Sequence, residues 1–469
     1  FSRLAREPVK TRYIRVSMDE SSDTGPAGST DVRDRLGFAI REIFAGKANA
    51  SGQFADELRH GTAANAQSVI YVSSTDPWHR SSDIDHDAEH IGFDRLVKSG
   101  LADGAPMMVP VGVLYDTTEN AAAEIEYLTK RGYRISGVEI GEEPDGQYVT
   151  PEDYGALYIQ WAEAIHKIDP NIKLGGPSFQ DIKPDTRGGK YALGNAVWLG
   201  RFINYLKKRH RSQDFSFFSF EWYPFDDVCK PTGPQVKEST RMLRQYVNVF
   251  RRHGLDEKIP LIISEYGYSA FSTAAEMDIE GALFNADTIG AFLSLGGKRA
   301  YLYGYEPDQV ERDFPCTSGN NMLFLDAASG AIQYPTATYF GAQMTMREWL
   351  QPTGGEHKLY HCEIDSENEE HPPIAAYAVL RPDEKWSLML INRDAVNAWR
   401  VSIRFNDREK KATGDNGADL YQFSGTDYQW DVMFGRPKKN DPPEHVELSV
   451  DKERSLQLPP YSLTILRKK

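Results

Sequence analysis

The chain has 469 residues, 40% of them hydrophobic and 26% charged, with a formal net charge of −14. That length exceeds one small core and forecasts a large domain with a smaller companion. The acidity excludes nucleic acid or an anionic membrane surface as the main partner, and no apolar run reaches the roughly 20 residues a membrane helix needs. The aromatic share of 12% serves cores first, but it also suits sugar clefts, where a flat ring matches the C–H face of a pyranose.

In chain order, Phe1–Val9 reads as the end of a helix leading into a strand at Thr11–Met18. A start at Phe1 is what a secreted bacterial protein with its leader removed would show, and so would a shortened chain. Residues 21–94 break any regular rhythm. They hold a Gly/Ser/Asp-rich loop, a run Leu36–Phe44 of strand or helix character, and a strand Ser68–Ser74 that leads to Trp78. This stretch is expected to be a large insertion on the face that carries active-site loops.

From about 95 to 330, strand-like runs alternate with helical patterns. The strands are Pro106–Val113, Ile135–Ile140, Lys173–Pro177, Phe215–Phe220, Ile259–Ser264 and Arg299–Tyr303. The helices are Thr118–Arg131, Thr150–Ile168, Asn195–His210, Thr240–His253 and Asp278–Leu295. At Thr150 an N-cap is followed by Pro151 at the first helical position. Nearly continuous apolar strands that end in polar residues predict a closed (β/α)8 TIM barrel over residues 1–350. With Thr11–Met18 the count is one short of eight, and the missing first strand is expected before Phe1. After a helix at Tyr334–Leu350 the style changes. Short alternating runs at Ile374–Leu380, Trp386–Ile391, Trp399–Phe405, His445–Val450 and Leu463–Leu466 predict an all-β sandwich domain over 351–469. Residues Lys438–Glu444 read as a loop.

Two of the barrel strands end abruptly in a carboxylate, at Glu142-Glu143-Pro144 and at Ser264-Glu265-Tyr266. Paired carboxylates at fixed separation are the apparatus for breaking a glycosidic bond. Glu143 is the candidate acid/base, with Pro144 holding its backbone extended and Glu142 adding a like charge that favours a proton. Glu265 is the candidate nucleophile. Tyr266 or Tyr268 beside it, or Tyr223, is expected to hydrogen-bond it. Trp78, Trp222, Tyr223, Tyr303 and Tyr305 follow strand ends and are candidate sugar platforms, although buried aromatics are more often core.

The same residues carry a resemblance. Glu142-Glu143-Pro144 after an apolar strand resembles the Asn-Glu-Pro signature of clan A glycoside hydrolases, and Ile262–Gly267 resembles their nucleophile strand. The stretch Pro151–Pro177 looks like the segment that follows the acid/base in family 39 and its relatives. Phe217–Pro224 looks like their sixth strand, and Leu458–Ser462 like the closing strand of their β-domain. The resemblance implies a retaining glycosidase with Glu143 as acid/base and Glu265 as nucleophile, and Arg15 as an arginine beneath that nucleophile. Two positions depart from the pattern: Glu142 stands where Asn is usual, and Glu221 where His is common. Both are read as sugar contacts, with an altered sugar preference.

No cofactor is expected. The run Asp83–Asp87, with His79 and His90, lacks both the calcium-loop pattern and a zinc spacing, so no metal is expected either. Cys229 and Cys316 are expected on one face, as free buried thiols ahead of a disulfide. The implied partner is a carbohydrate, and the implied location is outside the cytoplasm, secreted or periplasmic. The competing readings are a non-catalytic carbohydrate-binding protein on a decayed barrel, and a metal-dependent barrel hydrolase.

Overall fold

The computed structural model describes residues 46–48, 54–56 and, with short breaks, 92–469. The strand expected at Thr11–Met18 and the runs at 36–44 and 68–74 lie outside the described residues. Within the 21–94 stretch, β1 (Gly46–Ala48) and β2 (Phe54–Asp56) pair as a short antiparallel hairpin, which the sequence pattern did not announce.

Six parallel strands then lie side by side in chain order: β3 (Met107–Val111), β4 (Ile135–Ile140), β5 (Leu174–Phe179), β6 (Phe217–Trp222), β7 (Leu261–Tyr266) and β8 (Arg299–Leu302). After α1 (Phe93–Lys98), the helices α2 (Thr118–Lys130), α3 (Pro151–Ile168), α4 (Ala196–Lys208), α5 (Thr232–Arg252) and α7 (Ile279–Ser294) connect successive strands, with a four-residue α6 (Ala274–Met277) before α7. This is the curled parallel sheet of a (β/α)8 barrel. The cap expected at Thr150 forms, its hydroxyl accepting the Asp153 N–H at 3.2 Å, and Thr117 caps α2 in the same way by accepting the Asn120 N–H at 3.2 Å. Helix α5 begins eight residues before the expected Thr240. Gly233 and Pro234 occupy its first turn, where a proline's missing N–H costs nothing.

Alternation along β6 sets the layers. Phe218, Phe220 and Trp222 face the helices, meeting Phe250, Phe292 and Tyr246 edge-on at ring distances of 4.8, 5.9 and 4.9 Å. Phe217, Ser219 and Glu221 face the barrel interior. Phe217 fills the interior because its neighbours there are glycines: a Cβ on Gly175 would come within 2.4 Å of its ring, and one on Gly137 within 2.9 Å. An aromatic floor with small residues around it leaves the layer above for polar side chains.

A short antiparallel pair, β9 (Phe324–Asp326) with β10 (Ile332–Pro335), leads to α8 (Ala337–Gln343), which runs on as a wider turn to Trp349, and past it the chain is all β. Strands β11 (Lys358–Tyr360), β12 (Ile374–Leu380), β13 (Trp386–Asn392), β15 (Ala418–Ser424), β18 (Glu444–Leu448) and β20 (Ser462–Lys468) form one sheet in the order β11-β12-β13-β20-β15-β18. A pair, β14 (Trp399–Ser402) with β19 (Ser455–Leu458), covers one face of it, and β16 (Tyr428–Asp431) pairs with β17 (Arg436–Asn440) as a hairpin. Residues 438–444, expected to be a loop, therefore span the end of one strand and the start of another. Strand β13 is buried on both faces. Leu388 and Leu390 join the sandwich core with Leu456 and Leu458, while Met389 and Ile391 join the core that runs on into the barrel helices. The sheet docks on α7, where Gly290 leaves room for the Tyr377 ring.

Cys229 and Cys316 form a disulfide with Cα atoms 5.5 Å apart, which corrects the expectation of free buried thiols. Cys229 is exposed. The pair is apposed because the loops that follow β6 and β8 come together on the same rim of the barrel, and Cys316 also accepts the Ala274 N–H of the loop after β7 at 3.0 Å. Cys362 is free.

Candidate active site

The site lies where the C-terminal ends of β4 to β7 converge. Gly141 ends β4 with φ +85, and a Cβ there would come within 2.5 Å of Val113. Glycine therefore permits the sharp exit that swings Glu142 and Glu143 across the mouth. Glu143 itself is left-handed (φ 45), unlike the extended backbone expected before proline, because a local turn captures it. Its N–H donates to the Ser178 carbonyl at 3.1 Å, and its carbonyl accepts from Gly146 and Gln147 at 3.0 and 3.1 Å. Such a conformation in a non-glycine residue costs roughly 1–2 kcal/mol and marks a place where the surroundings over-determine the backbone. Asp145 anchors the same loop to the end of β5, its carboxylate accepting the Gln180 N–H at 3.1 and 3.2 Å.

Glu221 and Glu265 sit side by side at the ends of β6 and β7 as register partners. One carboxylate oxygen each from Glu142, Glu221 and Glu265 lies within 4.8 Å of the others. Glu221 is 6% exposed, Glu265 is half-buried, and Glu142 is exposed. The Tyr223 hydroxyl donates to Glu265 Oε2 at 3.1 Å. Below them, Glu139 projects inward one residue before the end of β4, 8% exposed, beside the hydroxyls of Ser219 and Ser264.

The electrostatics are those of acids crowded together out of water. Burial raises Glu139 to about 7, opposed by Ser219 and reinforced by Glu265. Burial, then the charges of Glu143 and Glu265, push Glu221 up to about 12. Glu265 is also raised, chiefly by burial, with the Tyr223 hydrogen bond pulling the other way and Glu142 and Glu143 adding to the rise. Glu142 is raised by burial and by Glu143. The Tyr223 phenol is raised far above its ordinary range by burial and by Glu265, so it stays a donor. Among the described residues, Glu142, Glu221 and Glu265 are the group whose spacing could take a cation. The run 79–90 lies outside the described residues.

The structure thus brings together Glu142, Glu143, Glu221, Tyr223 and Glu265. Tyr303 is half exposed beside them, its ring 6.4 Å from that of Tyr223. Trp222, expected as a sugar platform, and Tyr268, expected to contact the site beside Glu265, lie in the core instead. Trp222 is 1% exposed and packs on Tyr246, because alternation along β6 turns it toward the helices. Tyr268, also 1% exposed, packs on Phe225 at 4.8 Å, and its hydroxyl donates to Gln235 rather than to Glu265. Tyr266 is buried as well. Arg15, Trp78 and Tyr305 lie outside the described residues. Glu139 was missed, although a glutamate inside an otherwise apolar parallel strand is a signal in itself.

No family model and no curated protein sequence matches the chain. Solved structures do. A family 51 arabinofuranosidase from Xanthomonas axonopodis pv. citri aligns over 81% of this chain and 78% of its own, at 12% identity and a TM-score of 0.56. A family 51 α-L-arabinofuranosidase from Thermotoga petrophila aligns over 81% and 79%, at 15% identity and a TM-score of 0.54. A family 44 endoglucanase from Clostridium thermocellum aligns over 80% and 84%, at 13% identity and a TM-score of 0.53. At these identities the likeness is one of fold. The barrel and its β-sandwich resemble the fold of these glycoside hydrolases, and family 39 in particular stays a reading of the sequence motifs.

Proposed function

We propose that the chain is a retaining glycoside hydrolase acting on a poly- or oligosaccharide, with Glu143 as acid/base and Glu265 as nucleophile. We place its catalytic barrel in residues 1–350 and its sandwich in 351–469. The observation that carries this reading is the convergence of Glu143 and Glu265, from two separate strands, on one rim of a barrel shared with glycoside hydrolases. In the first step Glu143 gives its proton to the glycosidic oxygen while a Glu265 carboxylate oxygen bonds to the anomeric carbon and the aglycone departs. In the second, Glu143 takes a proton from water, whose oxygen displaces Glu265; two inversions give net retention. Tyr223 holds Glu265 in line and favours its charged form. Arg15 would lie beneath it by the family resemblance. The Cys229–Cys316 disulfide supports a secreted or periplasmic location, since such bonds persist in oxidising compartments.

The test is hydrolysis of a panel of aryl glycosides and polysaccharides by the wild type, Glu265→Ala and Glu143→Ala. Wild type should cleave at least one with the product anomer retained by NMR. Glu265→Ala should fall to background, and Glu143→Ala should lose about 10²–10⁴-fold on substrates with poor leaving groups. Sugar binding without any turnover would favour the carbohydrate-binding reading. Activity that a chelator abolishes and a divalent cation restores would favour the metal-dependent one, for which the Glu142, Glu221 and Glu265 grouping speaks.

A further inference from the structure

Glu221 is an acid that a two-carboxylate scheme leaves without a task, and it is the most deeply buried of Glu142, Glu221 and Glu265. Its Oε1 accepts from the Ser178 hydroxyl at 3.2 Å. Ser178 is a junction. Its carbonyl accepts the Glu143 N–H at 3.1 Å. Its hydroxyl meets that of Ser264, next to Glu265, at 2.9 Å, and its N–H donates to Ser219 Oγ at 3.0 Å. It holds this place with a left-handed backbone, φ 54, a cost that a side chain of no consequence would not sustain.

We propose that Glu221 is a positioning residue: seated on Ser178, its carboxyl O–H donates to the Glu143 carboxylate and holds the acid/base in place across the barrel mouth from Glu265. The inference rests on the reading of Glu143 as acid/base. The groups that face Glu221 are Glu142 and Glu143 from the loop after β4, Ser178 from β5, Tyr223 beyond its own strand and Glu265 from β7. The charged ones that most perturb it are all acids, and a hydrogen bond to Glu143 is among the causes that keep its proton on. A neutral donor–acceptor in this place has a close isostere. Glutamine offers an N–H in place of the O–H and a carbonyl for Ser178, whereas a carboxylate nucleophile does not survive that exchange and a metal ligand loses its charge.

The experiment measures kcat, KM and pH–rate profiles of wild type, Glu221→Gln, Glu221→Ala and Ser178→Ala on the aryl glycoside that wild type cleaves. Glu221→Gln should restore most of the kcat that Glu221→Ala loses, with the limb assigned to Glu143 in place. Glu221→Ala should lower kcat by about 10–100-fold, the worth of one hydrogen bond to a charged group, with KM little changed. Without its donor the Glu143 carboxylate holds a proton more tightly, so the limb assigned to it should move to higher pH. Ser178→Ala should shift that limb in the same direction by less, and it decides the matter if Glu221→Ala does not fold. Glu221→Gln as inactive as Glu221→Ala, alanine variants with an unmoved limb, or activity dependent on a divalent cation would each overturn the proposal. A wild type that cleaves nothing overturns this proposal and the glycosidase reading together. Turnover that Glu265→Ala abolishes, beside an inactive Glu221→Gln, overturns this one alone.

Discussion

At the seam between α7 and the β-sandwich, Asp287 is fully buried and meets both the Arg393 guanidinium at 2.5 Å and the Tyr377 hydroxyl at 2.6 Å. At the barrel mouth, Glu139 is nearly as deeply buried and meets two serines and other carboxylates. The contrast repeats within each region. Asp419 in the sandwich feels burial, but His445 and Arg467 outweigh it and hold its carboxyl below the usual range. Glu142, Glu221 and Glu265 are all pushed up. Asp287 and Asp419 are thus matched with cations. The carboxylates of the mouth stand among their own kind, where small changes in surroundings move a charge state.

Breaking the paired side should cost the most. Arg393→Ala strands the Asp287 charge, and urea denaturation should show a loss of about 3–5 kcal/mol. Replacing both partners (Asp287→Leu with Arg393→Met) should recover most of it, as hydrophobic substitutes for buried pairs commonly do. At the mouth, Tyr223→Phe removes the hydrogen bond to Glu265 and should cost about 1.5–3 kcal/mol of transition-state stabilisation, read as a fall in kcat/KM. Its acidic limb should move upward, because Glu265 then holds its proton more tightly.

The third prediction concerns pH. Glu139, Glu276 and Asp278 are each raised to about 7, in every case chiefly by burial. Folded chains keep these protons to higher pH than unfolded ones, whose acids titrate at 4.5 or 3.8. The stability they contribute is full below those ordinary values and is lost as pH rises through 7. Denaturation midpoints should therefore be higher at pH 5 than at pH 8, and Glu139→Gln should flatten that slope by at most about 1.4 kcal/mol per pH unit. Equal midpoints at the two pH values would remove the contrast between the regions. The smallest effect belongs to the exposed pair Lys130–Glu126 on α2, where Lys130→Ala should change stability by no more than about 0.5 kcal/mol.

Much of this was legible in the chain. The strand Ile135–Ile140 and the helix Pro151–Ile168 sit where apolar runs and the Thr150-Pro151 cap put them, because those signals are local. Strands β6 and β7 run two residues further than expected, to Trp222 and Tyr266. That extension places Glu221 and Glu265 inside the strands, where alternation decides which side chains face the mouth. Trp222 and Tyr268 follow polar strand ends, which points them to the site by position alone, but inward or outward direction is set by the pleat and by what packs behind it. Strand β17, Arg-Pro-Lys-Lys-Asn, carries no strand-type residues and exists through its pairing with β16. The left-handed Glu143 is likewise a product of tertiary hydrogen bonds, to which the text Glu-Glu-Pro is silent.

One feature of the sandwich has a consequence for the order in which the protein is made. Strand β20 (Ser462–Lys468) lies in the middle of its sheet, hydrogen-bonded to β13 on one side and β15 on the other. During synthesis, the chain emerges from the ribosome with those two strands already present and nothing to join them. Until residues 462–468 appear, the sheet is split into two halves, and the part of α7 that β20 covers is left bare. The nascent protein thus carries a sticky helix and open strand edges for the whole interval between completing its barrel and receiving its final strand, and it is then that a chaperone would have most to hold.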